Sequence, residues 1–148
     1  MKKIAIFFLC ISAILSAVFY AYYNYNKSYN MAKKENSQFE RFINNEISGL
    51  ELATVINKTI DYNTKNEIEK DEQGIYIDNN KNSIKIDVKF IENEEKKTFI
   101  THNMETIYKV GIQNLLNVYS NSKFKCNYIE YHKNTGKIKY IIFEQIIQ

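Results

Sequence analysis

Two histidines, His102 and His132, and two cysteines, Cys10 and Cys126, are the only side chains in this 148-residue chain suited to imidazole or thiol chemistry. A general base needs a nucleophile or a carboxylate within reach, and a metal centre needs ligands at characteristic spacings. The two histidines fall on different expected elements. Neither has a cysteine or carboxylate at metal-ligand spacing, and His132 followed by Lys133 makes no acid–base pair, so both read as loop or strand-edge residues. Cys126 has no partnered base and reads as a small core hydrophobe. The stretch Asp78-Asn79-Asn80-Lys81-Asn82 opens like a calcium loop, but such a loop needs glycine at its sixth position and a bidentate glutamate at its twelfth. Ser83 and Lys89 stand there. A hairpin turn is the better expectation, since Asn and Asp tolerate left-handed backbone. The four glycines, at 49, 74, 111 and 136, are isolated, which excludes a glycine-rich phosphate loop. A hydrolase pocket would have to form around Asn57, Asp61 or His132. Carboxylates are plentiful, yet no pair stands apart from a solvated face. The expectation is no catalysis, no metal and no cofactor.

The element that must position everything else is the run Ile4 to Tyr23, IAIFFLCISAILSAVFYAYY, directly behind Met1-Lys2-Lys3. It holds no charge. A helix of about twenty residues spans roughly 30 Å, the thickness of a bilayer's hydrocarbon core. Ile4, Phe7, Phe8, Ile11, Ile14, Leu15 and Val18 supply the apolar surface, and Tyr20, Tyr22 and Tyr23 at the far end suit the headgroup layer. A secretory cleavage site wants small residues at the first and third positions before the cut. Cuts after Ala17 or Ala21 would leave Leu15 or Phe19 at the third position, so a retained anchor is expected. Cys10, preceded by Leu9, does not fit a lipoprotein signal. Lys2 and Lys3 on one side nearly balance Lys27, Lys33 and Lys34 on the other. Because a short head with two lysines resists translocation, the expected layout is a cytoplasmic head at 1–3, a transmembrane helix at 4–23, a helical stalk at 24–48 and an extracytoplasmic domain at 49–148. The membrane is the cell membrane, crossed once.

Along the stalk, Tyr25, Ala32 and Phe39 interleave with Tyr29, Asn36 and Ile43 at coiled-coil spacing for under three heptads. Packing on the protein's own sheet is favoured over pairing with a second helix, which would bring a protein partner or another copy. Ser48-Gly49 breaks the helix. A second helix to about Asn66 gathers Leu52, Ile56, Thr59, Ile60 and Asn63 on one arc, with Asn63 expected as a hydrogen-bonded core amide. Ile75-Tyr76-Ile77 looks strand-like. Ile84, Ile86, Val88 and Phe90 alternate with Lys85, Asp87 and Lys89 as in a strand with one wet face. The returning strand begins at Thr98, Asn103 caps a helix, and Met104 to Tyr119 keeps an amphipathic spacing with Gly111 inside its stripe. Phe124–His132 and Lys137–Ile147 form the last two strands, joined by Lys133-Asn134-Thr135-Gly136. The fold class is α+β: a transmembrane helix extended into a stalk, then two helices on a roughly five-stranded antiparallel sheet.

Composition narrows the partners. Setting aside Lys2 and Lys3 leaves 18 basic against 17 acidic residues, with lysines and acids alternating along the chain. Nucleic acid is therefore not an expected partner. Cys10 in the span and Cys126 in a strand form no internal disulfide. The abundance of Asn, Lys, Ile and Tyr, without proline or tryptophan, suggests AT-biased bacterial coding.

The stretches Leu52–Lys58, Asp61-Tyr62-Asn63, Asn82–Ile86, Phe124-Lys125-Cys126 and Tyr131-His132 resemble a group of single-span membrane-anchored proteins of low-GC Gram-positive bacteria. That group has no assigned activity, so the resemblance implies the anchor-plus-domain layout and no mechanism. The layout is also distantly similar to pilin-like proteins, without the glycine and glutamate of a prepilin cleavage site. The expected function is display of an outward-facing interaction module. The alternatives are a pilin-like subunit of a surface filament or secretion apparatus, and a small membrane-associated hydrolase.

Overall fold

The computed structural model describes residues 2–147; Met1 of the expected head and Gln148 of the expected domain lie outside the described residues. Helix α1, Lys2–Ile43, is unbroken over 42 residues, about 63 Å at 1.5 Å per residue. Strand β1 (Ile47–Ser48) leads into α2 (Gly49–Lys65), followed by β2 (Lys85–Asn93), β3 (Thr98–Asn103), α3 (Met104–Val110), α4 (Ile112–Tyr119), β4 (Lys123–Tyr131) and β5 (Ile138–Gln145).

The helix boundaries follow from local chemistry. Ser48 caps α2 in a reciprocal box: its hydroxyl accepts from the Glu51 N–H, and the Glu51 carboxylate accepts from the Ser48 N–H. Asn103 caps α3 by accepting from the Thr106 N–H at 2.8 Å. Gly49 admits no side chain, because a Cβ there would stand 1.9 Å from the carbonyl oxygen of Tyr119. That close approach lets α2 start against the end of α4, with the Gly49 N–H donating to the Ser122 carbonyl.

The sheet order is β1-β4-β5-β2-β3. The sheet is mixed, which corrects the purely antiparallel arrangement expected from sequence: β5 lies between β4 and β2 and runs parallel to β2. The chain makes this connection through β3, α3, α4 and β4, so the last hairpin inserts beside β2 and does not extend the meander. Three further expectations are corrected. Ile75–Ile77 forms no strand, since Tyr76 makes only an isolated bridge to Lys70; the remaining strand is β1, at the other edge. The Asp78–Asn82 stretch is consequently a turn but not a hairpin; it is built by Asn79, whose side-chain oxygen accepts from the N–H groups of Lys81, Asn82 and Ser83. Gly111 adopts φ 108° and divides the expected Met104–Tyr119 helix in two.

One core joins the layers. Ile86, Val88 and Phe90 of β2, Ile141 and Phe143 of β5 and Phe124 of β4 face Leu52, Val55 and Ile56 of α2, Ile107 of α3 and Leu115 of α4. Phe39 and Phe42 of α1 belong to the same core. The other sheet face carries no helix and stays polar. There Lys85, Asp87 and Lys89 lie beside Tyr140, Ile142 and Glu144.

Candidate functional site

The expected anchor residues, Ile4, Phe7, Phe8, Ile11, Ile14, Leu15, Val18, Tyr20, Tyr22 and Tyr23, are all exposed, and no part of the apolar stretch is covered by the domain. A soluble protein buries such surface. The described residues contain one helix long and apolar enough to cross a membrane, and it lies near the N-terminus, as a single-pass anchor would.

Further along α1 the environment changes within three turns. Tyr25 and Tyr29 remain exposed and stack with ring centroids 6.4 Å apart. Ala32 and Phe39 are buried, while Asn36 and Ile43 are half-buried. The upper part of the expected seam thus packs on this protein's own domain. Asn36 locks the helix to the β4–β5 turn: its amide donates to the Gly136 carbonyl and accepts from the Ile138 N–H, both at 2.9 Å. Glu35 accepts from the Tyr62 hydroxyl and pairs with Lys137 at 2.8 Å. Burial and then this carboxylate raise the pKa of the Tyr62 phenol well above its ordinary value. At the helix end Arg41 pairs with Glu51. Lys58 lies over the Phe39 ring and donates to the Gln38 carbonyl. The first buried position, Ala32, comes about 14 Å beyond Tyr23 along the axis. A groove of about 540 Å³ runs between this stretch and the β4–β5 turn, with Tyr25, Tyr29 and Tyr131 in its walls.

Ser83, His132 and Asp78 are neighbours, so the residue types of a nucleophilic triad are present. The wiring is wrong for one. His132 Nε2 lies 2.8 Å from the Ser83 carbonyl, which can only accept, so Nε2 carries the proton. The Ser83 hydroxyl donates instead to Asp78, and His132 Nδ1 stands 3.9 Å from that carboxylate. Ser83 and His132 are buried at 1% and 3% exposure, and Ser83 and Asp78 line the floor of a groove of about 410 Å³ that His132 does not reach. Burial pushes the Asp78 carboxyl up, but the Asn80 N–H, Lys139 and Ser83 outweigh it and hold the pKa below the ordinary value. The cluster ties the Asp78–Ser83 turn to the β4–β5 turn. Asn57 and Asp61 sit on the exposed face of α2, so they do not converge with His132.

Asn63 is buried and fully bonded, donating to the Ile84 carbonyl and accepting from the Ile84 N–H. His102 lies on the edge strand β3 beside Phe90. Cys126 is half-buried in β4, where burial raises its thiol pKa. No group of three or more metal-ligating side chains occurs among the described residues. Sequence reasoning missed the Asn36–Ile138 lock, because the partner is a backbone group about a hundred residues away and leaves no local pattern.

Fold and site define a class by architecture: an α+β domain continuous with one long, apolar, membrane-competent helix. No family model, curated protein or solved structure matches the chain.

Proposed function

We propose that this chain is a single-pass protein of the cell membrane that holds an α+β interaction module outside the cell at a fixed height above the bilayer. The observation that supports it most is the division of α1. Its amino-terminal half presents apolar side chains with no protein to cover them, and its carboxy-terminal half is fastened to the domain by Phe39, Asn36 and Glu35. A flexible tether would lack the second half, and no small residue stands at the third position before a cut after Ala17 or Ala21, where Leu15 or Phe19 would have to fit a signal-cleavage site. Lys2 and Lys3 directly ahead of the span support the outward orientation, because basic residues resist translocation.

The test is fractionation with an alkaline wash, together with amino-terminal sequencing of the mature chain. Retention in the membrane with residues 4–23 intact is expected; a chain released to the soluble fraction or beginning after Tyr20 contradicts the proposal. Sidedness is read from an Asn121→Cys variant in a Cys126→Ala background, because the native thiol is half-buried and Asn121 is exposed. Labelling of intact cells by an impermeant maleimide is expected. Protection of the introduced thiol in intact cells, with labelling only after lysis, reverses the orientation.

The pilin-like reading rests on the same helix, whose apolar half is free to pack against other copies. Mass measurement of gently solubilised protein separates the two: a large homo-oligomer supports assembly, and a monomer supports display.

A further inference from the structure

We propose that the free edge of β3 is a docking edge for an extended segment of another protein, which joins the sheet as an added strand and places an apolar side chain in the notch beside it. This names the partner surface of the interaction module proposed above and rests on that reading only where it excludes a second copy.

Strand β3 is an outer strand, paired on one side with β2 alone. Free strand edges invite pairing, and proteins ordinarily blunt them with charge, proline, bulges or covering elements. The two edges of this sheet differ. At one, β1 covers β4 at Lys123 and Phe124, and the rest of β4 carries Lys125, Glu130 and two breaks in register. At the other, Thr98-Phe99-Ile100-Thr101-His102-Asn103 has no Lys, Arg, Asp, Glu or Pro, and the one irregularity of its pairing is an extra residue in β2, between Ile91 and Asn93, opposite the Thr98–Phe99 end of the strand. This edge is unprotected.

Beside it opens a notch of about 240 Å³, lined by Phe90, Ile100, His102, Ile107, Leu115 and Tyr119 among others, with Gly111 and the exposed Val110 also on its wall. Ile100 and His102 stand opposite Phe90 and Val88, buried members of the core face, so they share the notch's side of the sheet. A strand laid along β3 alternates its side chains with period two, and one set falls on that side. The same register that satisfies the free backbone groups therefore also fills the notch. The occupant is an extended peptide with apolar or β-branched residues at alternate positions.

A second copy is the other candidate, and the anchor argues against it. Two copies of β3 pair symmetrically in one continuous sheet only antiparallel, about an axis perpendicular to the sheet. Helix α1 lies along the sheet, antiparallel to β4: its end leads into β1 opposite Phe124, and Asn36 meets the turn after Tyr131. That axis would point the two spans in opposite directions, which one bilayer does not allow.

The experiment selects a displayed library of random linear peptides on the full chain held in phosphatidylcholine nanodiscs. Enriched peptides are expected to alternate apolar and polar residues, and to slow hydrogen exchange at the amides of residues 98–103 by about tenfold or more. Ile100→Lys, at an already half-exposed side chain, is expected to weaken binding by about tenfold or more by setting a charge against the notch. Val110→Asp, off the strand, does the same, and Lys125→Gln at the opposite edge changes nothing. Peptides without alternation, protection of other amides, or affinity indifferent to both notch substitutions would overturn the proposal. So would a solubilised dimer that Ile100→Lys dissociates, which would make a second copy the occupant. A chain that does not insert into nanodiscs contradicts the membrane reading instead; the same selection in buffer still decides the edge.

Discussion

The two halves of α1 are one helix in two surroundings. From Ile4 to Tyr23 every large apolar side chain is exposed, whereas from Ala32 to Phe42 the apolar positions are buried and the polar ones facing the domain are bonded to it. The backbone does not change between them. What changes is the spacing of apolar residues: continuous where no side is covered by protein, as a bilayer span requires, and periodic where one side must meet a core. The lesson is mechanical, because an unbroken helix transmits the position of the anchor directly to the sheet.

The sharpest way to break this comparison is to make the same substitution in both halves. Phe39→Ala is expected to destabilise the domain by about 3–5 kcal/mol, the cost of a large cavity in a packed core. Phe8→Ala is expected to leave domain unfolding unchanged. Urea unfolding of the full chain in detergent micelles measures both. Equal effects would mean that the free half is not free.

A smaller difference is expected from the polar positions. Asn36→Ala removes two hydrogen bonds and leaves the part-buried Ile138 N–H without its partner, costing about 1–3 kcal/mol. Asn30→Ala, on the exposed stretch, serves as the matched control with no expected change. Glu35→Gln gives up the half-buried ion pair with Lys137 and is expected to cost about 1 kcal/mol, measured the same way.

Much of this division was legible in the sequence. Unbroken apolarity marked the first half, and the positions of Ala32 and Phe39 marked a packed stripe. The cap Asn103, the buried amide of Asn63 and the alternation from Ile84 to Phe90 also announced themselves, because each is a local pattern with a local cause; Ser48 reads from the sequence only as part of a break, and its capping box with Glu51 emerges in the structure. What stayed hidden was non-local. Alternation in β2 states which face is buried but not which strand is the neighbour, so its parallel pairing with β5 was invisible. Gly111 is compatible with a helix interior or a break, and only the surrounding packing chooses φ 108°. Ile47–Ser48 is too short to read as a strand and is one because Phe124 and Lys123 lie opposite. The same limit applies to β3: its lack of charge was visible, but its place at an edge was not.

The smallest expected effect is on pH dependence at the end of α1. The Ser48 N–H and then Arg41 hold the Glu51 carboxyl below its ordinary value of 4.5. A group whose folded pKa is depressed adds stability above the unfolded pKa and loses it as pH falls through the folded one. Domain stability should therefore drop as pH falls below that ordinary value, and Glu51→Gln should flatten part of the drop. Thermal unfolding from neutral to acid pH checks it; an unchanged acid limb in the variant would remove Glu51 from the account.

The central claim is tested most directly by a spin-label scan along α1 in liposomes, one position at a time from Ile4 to Ile43, with collision rates measured for oxygen and for a water-soluble nickel chelate. The predicted profile has two regimes: positions in residues 4–23 accessible to oxygen and shielded from nickel on every face, then a helical-period oscillation from Ala32 onward with minima at Ala32, Phe39 and Phe42. Nickel accessibility throughout residues 4–23, or no oscillation beyond Ala32, would contradict it.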